Sequence, residues 1–210
     1  MLNGKTHDNE TLHDLVIEGA NLDHATFDSA TLKNCRFVKC TFREARLSDL
    51  LTSGCQFEEC DFSGALLGGS IHESSSFANC KFLGARLFSA VFRECKMTGA
   101  SFLDADLGGA ELHGGDWSYT LLRKAPFKAM QLRRVKLAHA DLEGANLEKA
   151  DLREADLTGA NLAAAKLTGA DLRGAKLDSI DLVALNWKGV TIDTDQAVQI
   201  ARACGAKVVG

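Results

Sequence analysis

Seven cysteines and six histidines are the residues of this chain that could carry metal or redox chemistry. A zinc site needs such residues paired at short spacing, and a thiol or hydroxyl nucleophile needs a histidine beside it. Neither pattern is found. His7, His13, His24, His72, His113 and His139 are scattered, and none is expected to be brought against a cysteine or serine. Glycine pairs that could cradle phosphate, Gly68-Gly69 and Gly108-Gly109, do not follow a strand and open a helix. No catalytic residue, cofactor or metal site is therefore expected, and the chain is not expected to be an enzyme. Six cysteines (Cys35, Cys40, Cys55, Cys60, Cys80 and Cys95) instead fall on multiples of five.

That spacing belongs to the whole chain. From Leu12 to Ile192 every residue whose number ends in 2 or 7 is apolar, except Thr52 and His72. The residue two places earlier is usually small, from Ala20 and Ala25 to Ala175. A period of five fits neither a helix nor a strand alone. It fits short extended segments, each ended by a turn, in which the centre and the residue two before it share the inward side. Glycine recurs two places after the centre (Gly19, Gly64, Gly84, Gly99, Gly144 and others), where a turn needs positive φ. A chain that turns the same way every five residues coils into a solenoid, its coils about 4.8 Å apart. Cys40, Cys60 and Cys80 then stack in consecutive coils, within the roughly 4.4–6.8 Å Cα range of a disulfide. Parallel inward side chains in a reducing compartment favour free thiols packed as small apolar groups.

Composition sets limits on the rest. Apolar residues make up 46% of 210, without a run near the roughly 18 that span a membrane. The start, Met1 to Glu10, is polar and acidic, so a cytoplasmic location without membrane contact is expected. A net charge of −4 argues against direct nucleic-acid binding through a basic surface.

The run Ala140-Asp141-Leu142-Glu143-Gly144-Ala145-Asn146-Leu147, continued through Ala150-Asp151-Leu152, Ala155-Asp156-Leu157 and Ala160-Asn161-Leu162, resembles the A-(D/N)-L-x-x motif of the pentapeptide-repeat proteins. The resemblance implies an all-β solenoid, a right-handed quadrilateral β-helix with four repeats per coil. Residues 1–192 would form about nine coils in one domain, a rod of roughly 43 Å. Residues 193–210 would form a short helix and tail that cap the rod and join two copies. Asp193 and Gln196 have the spacing of a capping box. Ala197, Ile200, Ala201 and Cys204 follow helical spacing, and Gly205 is a stop. With Ile192 these four are the expected dimer interface.

Residues twenty apart share a face, which sorts the surface. The face centred on Leu22, Phe42, Phe62 and their successors is the most acidic. It carries Asp23, Glu44, Asp61, Asp104, Asp141, Glu143 and Asp181 against Arg43, Lys81, Arg123 and Lys124. It also exposes Leu83, Leu103 and Leu121, with Phe88 on the neighbouring face. Thr52 and His72 are themselves twenty apart, each preceded by a large apolar residue. Leu51 and Ile71 are expected to replace them as centres through local bulges. The result is either two tolerated packing defects or a displaced patch, with Glu73 and Ser74, that touches a partner. From His113 to Val135 the pattern is irregular (Gly115, Trp117, Thr120, Pro126, Met130), and a change in coil shape is expected. Phenylalanine centres dominate before it and leucine centres after it.

The ending, Ile192-Asp193-Thr194-Asp195-Gln196-Ala197 and Gly205-Ala206-Lys207-Val208-Val209-Gly210, resembles the C-terminus of the quinolone-resistance branch, the Qnr proteins and the mycobacterial MfpA type. That resemblance implies an end-to-end homodimer of roughly 90 Å, the length of about 26 base pairs. It would mimic DNA and bind DNA gyrase or topoisomerase IV. The unbroken register leaves no room for the long inserted loops of some Qnr proteins. A scaffold for another protein partner is the alternative.

Overall fold

The computed structural model describes residues 6–209 of the chain. Met1 to Lys5 of the expected β-helix and Gly210 of the tail lie outside the described residues. The chain winds into a four-sided parallel β-solenoid in which each residue lies beside the one twenty later, from Thr6 against Thr26 to Asp171 against Thr191. On the face here called face 1, with centres Leu12, Leu32 and onward, six strands are long enough to form a sheet. They are β1 (Thr11–His13), β3 (Thr31–Lys33), β5 (Leu51–Ser53), β7 (Ile71–Glu73), β8 (Val91–Arg93) and β9 (Glu111–His113). On face 2 β2 (Val16–Glu18), β4 (Arg36–Val38) and β6 (Gln56–Glu58) form another. Face 3, centred on Leu22 and Phe42, and face 4, centred on Phe27 and Leu47, are held by single bridges such as Asn21–Thr41 and Thr26–Arg46.

Each pentapeptide makes the same bonds. The centre donates its N–H to the next coil, as Leu22 does to Thr41 O at 2.8 Å. The residue two later also donates, as His24 does to Arg43 O at 2.9 Å, and it adopts φ near +60° to do so. Glycine is found there as expected, but so are His24, Lys39, Glu44, Ala129 and Glu154. Left-handed backbone costs a non-glycine residue roughly 1–2 kcal/mol, and a full set of ladder bonds offsets it. The Asp or Asn of the motif serves the same turn. Asp61 accepts the Ser63 N–H at 3.0 Å, and Asn146 that of Glu148 at 3.1 Å.

The interior is a set of columns. Phe42, Phe62, Phe82 and Phe102 stack at 4.7–5.1 Å on face 3, and Phe37, Phe57 and Phe77 do so on face 2. Trp117, fully buried, packs against Phe92 and Phe102; Phe127 is the last buried phenylalanine, and leucine centres follow from Leu132. The six repeat cysteines are free and buried; Cys204 is free and exposed. Each core thiol donates to carbonyls, as Cys55 does to Leu32 O at 3.3 Å. Burial pushes the Cys55 and Cys95 thiols up to about 11, which leaves them un-ionised and inert at neutral pH.

The ladder fails in two places. Pro126 has no N–H to give to Ala105. Around it the N–H groups of Leu107, Gly109, Leu112, Gly114 and Gln131, which the pattern would pair between coils, have no partner among the described residues. Faces 2 and 3 of the same coils stay paired, through Lys96–Asp116–Lys136 and Ser101–Leu121–Asp141. The coils therefore part chiefly on faces 4 and 1, with the Asp104 N–H at the edge of face 3 also unpaired among the described residues, which is the change of shape expected between His113 and Val135. The second failure lies at residues 181–190, where Gly169 N–H reaches Gly189 O. The register, unbroken in sequence, slips by one residue there. We expect a small alkylating reagent to leave all six core thiols unmodified until denaturant unfolds the rod; labelling of Cys60 or Cys80 in native protein would contradict this packing.

Candidate interaction surfaces

Three surfaces stood out in the sequence, and the structure treats them differently. The bulges at Leu51 and Ile71 do not form. β5 and β7 stay in register, Leu32 pairing with Thr52, Thr52 with His72 and His72 with Phe92. Thr52 and His72 point inward, 2% and 0% exposed, while Leu51 points outward at 42%. A bulge would have sacrificed ladder bonds on both sides; a polar core costs less when its groups satisfy one another.

They do so through two serines at inward small positions, Ser70 and Ser75, both buried. The Ser70 hydroxyl meets His72 Nε2 at 3.0 Å, and His72 Nδ1 meets Thr52 Oγ1 at 2.9 Å. Thr52 donates to Ser75 Oγ at 3.1 Å, and Ser75 donates to Glu73 O at 3.0 Å. With Thr52 and Ser75 so committed, Nδ1 carries the imidazole proton and Nε2 accepts from Ser70. The histidine was expected to meet no serine; the twenty-residue stacking and the inward place of Ser70 and Ser75 bring them together. The ring stacks on Phe92 at 4.9 Å, and burial drives its pKa down to about 3. The cluster is sealed in the core, so it holds the fold and reaches no ligand.

Above it, the outward row Thr31, Leu51, Ile71 and Val91 forms a β-branched and aliphatic strip on face 1. A shallow groove of about 390 Å³ runs there, bordered by Lys33, Glu73 and Arg93. Glu73 and Arg93 face each other at 3.7 Å.

On face 3 much of the acidity is already engaged. Asp61 binds Arg43 at 2.8 Å. Its partial burial works against ionisation, but hydrogen bonds from Ser63 and Arg43 outweigh that and hold its carboxyl below the usual range. Asp141 binds Arg123 at 2.5 Å and accepts from Glu143 N–H and Asn161. Arg123 also faces Glu143 at 3.5 Å. Asp23 accepts the Arg43 backbone N–H at 2.9 Å, and Glu44 lies 3.5 Å from His24. Asp104 and Asp181 are the most open of the seven, being exposed and outside any ion pair among the described residues. Leu83 and Leu121 are exposed and Leu103 is half-buried. Phe88, 61% exposed, lies over Gly108 and Gly109, where a Cβ on Gly108 would touch its ring at 3.4 Å.

The third surface is the C-terminal end. Helix α1 (Thr194–Ala203) opens with the expected capping box, Asp193 and Gln196 each bonding the other's backbone N–H at 3.0 Å. Gly205, at φ +86°, ends it. Gln196 also does what its capping role did not reveal. It is buried, and its side-chain amide donates to Leu172 O at 2.6 Å and Ala175 O at 2.8 Å. It thus occupies carbonyls of the terminal coil. Ile192 and Ile200 pack partly on the core, Ala201 is half-buried, and Ala197 and Cys204 are exposed. Ile180, Leu185, Trp187 and Val190 remain only partly buried. The end of the core is still open.

A fourth feature, the slot on faces 4 and 1, was marked in the sequence only by Pro126 and the glycines beside it. Among the described residues no group of three or more His, Cys, Asp or Glu is placed to hold a metal ion. No helix there is long and apolar enough to cross a membrane.

The family model for pentapeptide repeats matches residues 12–49, 55–93, 85–116, 131–169 and 149–182, in eight copies. The chain belongs to the pentapeptide-repeat family. Its solenoid is similar to structures of QnrB1, a plasmid-mediated fluoroquinolone resistance protein. One trypsin-treated QnrB1 variant is 26% identical, with 94% of this chain and 99% of that one covered and a TM-score of 0.84. A second is 26% identical at 95% and 100% coverage, TM-score 0.85. Full-length QnrB1 is 24% identical at 93% and 100% coverage, TM-score 0.85. No curated protein is significantly similar in sequence.

The His72 cluster generates a pH prediction. Its folded pKa lies below the unfolded value near 6.5, so between about 3 and 6.5 the unfolded chain binds the extra proton and stability falls as pH falls. Urea unfolding at pH 5 should show roughly 2 kcal/mol less stability than at pH 7.5 from this group. The variant Thr52→Leu/Ser70→Ala/His72→Phe, which restores the repeat, should lose that difference.

Proposed function

We propose that this pentapeptide-repeat protein mimics DNA, binds a type II topoisomerase (DNA gyrase or topoisomerase IV) in the cytoplasm, and inhibits it or protects it from quinolones and other poisons. The observation that carries this reading is the likeness to QnrB1, which covers almost the whole of both chains. A rod with regularly spaced carboxylates on one side is a suitable shape for a surface that grips duplex DNA, and such an encounter is steered by charge. The contact surface is face 3, with Asp23, Glu44, Asp61, Asp104, Asp141, Glu143 and Asp181, its apolar residues Leu83 and Leu121 adding area. The short turns leave protection without inserted loops; the Leu51 and Ile71 strip on face 1, with Glu73, is the secondary contact.

The active form is a homodimer. Its seam is the uncovered core end with α1, through Ile192, Ala197, Ile200, Ala201 and Cys204. Half-covered Leu185, Trp187 and Val190 are what a second copy would bury, at about 25 cal/mol per Å² of apolar surface.

The engaged state of Asp61 and Asp141 favours a second reading, a non-catalytic scaffold for another protein partner. Supercoiling by purified gyrase, with and without a quinolone, separates the two. Inhibition or rescue that fades with salt is expected; no binding at low salt would sink the topoisomerase reading. Asp141→Asn keeps the turn acceptor and removes the charge, as Asn146 and Asn161 do naturally. Combined with Asp104→Lys and Asp181→Lys it should weaken gyrase binding by about tenfold or more, each tenfold being roughly 1.4 kcal/mol. Ile200→Asp should give monomers in sedimentation, and an unchanged dimer would place the seam elsewhere.

A further inference from the structure

The slot at Pro126 is a strand edge in the middle of the rod. On one lip β9 ends the face 1 sheet with the Leu112 and Gly114 N–H groups unpaired, and across the turn at Ala110 the Leu107 and Gly109 N–H groups are unpaired on face 4. On the other lip Gln131 N–H is unpaired, and the ladder resumes only at Gln131–Asp151. Unmet backbone groups of this kind are a template for another strand. The space between the lips comprises two adjoining clefts of about 640 and 360 Å³ that share His113 and Gln131. Volumes of this size are those of ligand sites.

The charge around the slot is opposite to that of the protein as a whole. Lys96, Lys128, Arg133, Arg134 and Lys136 line the two clefts, against Glu94, Glu111 and Asp116. Glu154, which engages both arginines, lies outside the lining. Arg133 is nonetheless about half exposed, so its guanidinium keeps donors for a second carboxylate.

We propose that the slot binds an extended acidic peptide segment by strand addition. The peptide backbone takes the N–H groups of Leu112 and Gly114 on face 1 and, bending at the corner as the coil itself does, those of Leu107 and Gly109 on face 4, and its carboxylates meet Arg133 and Lys136. Main-chain pairing supplies affinity and the cationic rim selects the sequence, as in other strand-addition complexes. The site lies on faces 4 and 1, away from the acidic face 3, so its occupancy is independent of the topoisomerase reading.

The test uses the whole protein without gyrase. A fluorescent eight-residue peptide of alternating valine and glutamate is titrated at low and high salt, beside its valine–lysine counterpart. Amide hydrogen exchange is followed at Leu107, Gly109, Leu112 and Gly114. The glutamate peptide is expected to bind, to weaken with salt, and to protect those four amides, which exchange fast in the free protein. Arg133→Gln/Lys136→Gln, both at the exposed rim, should weaken it by about tenfold, the scale of a lost charge-assisted hydrogen bond. Equal binding of the lysine peptide overturns the charge selection. Binding without amide protection, matched by competition from inorganic phosphate, makes the slot a simple anion site and overturns strand addition. Absence of binding, or amides already protected in the free protein, overturns the proposal altogether.

Discussion

The hydrogen-bond ladder between coils is the interaction on which everything else rests. No pentapeptide has a core of its own; each contributes one large and one small side chain to columns that exist only because the next coil is held about 4.8 Å away. Two features of each turn maintain that distance. The second residue of the turn enters left-handed backbone to aim its N–H at the next coil, and the Asp or Asn before the centre fastens the turn from outside. Side chains with no intrinsic liking for positive φ, such as Lys39, Glu44 and Glu154, are carried there by bonds they share with their neighbours. Strain at one position is thereby compensated by pairing along the whole rod.

The same ladder explains why the exceptions take the form they do. Thr52 and His72 could have been expelled and replaced by Leu51 and Ile71, since apolar burial favours that exchange. Expulsion would have broken backbone pairing with the coils on either side, so the polar side chains went inward and recruited Ser70 and Ser75. Pro126 is the opposite case. It removes a donor from the ladder itself, which no side chain nearby replaces, and the coils separate. A polar centre is absorbed by the columns; a missing N–H is not.

At the C-terminal end the ladder must stop, and Gln196 shows how. Its side-chain amide stands in for backbone N–H groups of a coil that does not follow, while its own backbone and carbonyl oxygen close the capping box with Asp193. The helix thus satisfies carbonyls of the last coil, while Leu185, Trp187 and Val190 stay only partly buried. Polar closure is thus combined with incomplete apolar closure at this end of the rod.

The sequence by itself determined the solenoid, because a five-residue period of large and small apolar positions has one geometric solution once each segment must turn the same way. It determined the capping box, since Asp193 and Gln196 act over three residues, and it marked the region around Pro126 as irregular. What a carboxylate is doing was decided by tertiary structure. Asp61 and Asp141 read as free surface charge until the coil eighteen residues away placed Arg43 and Arg123 against them and the turn claimed their oxygens. The direction of Thr52 and His72 was likewise decided by stacking, because the competing bulge differs from the ladder only in bonds made between coils twenty residues apart. Local pattern fixes what repeats; contacts across coils fix what happens where the pattern fails.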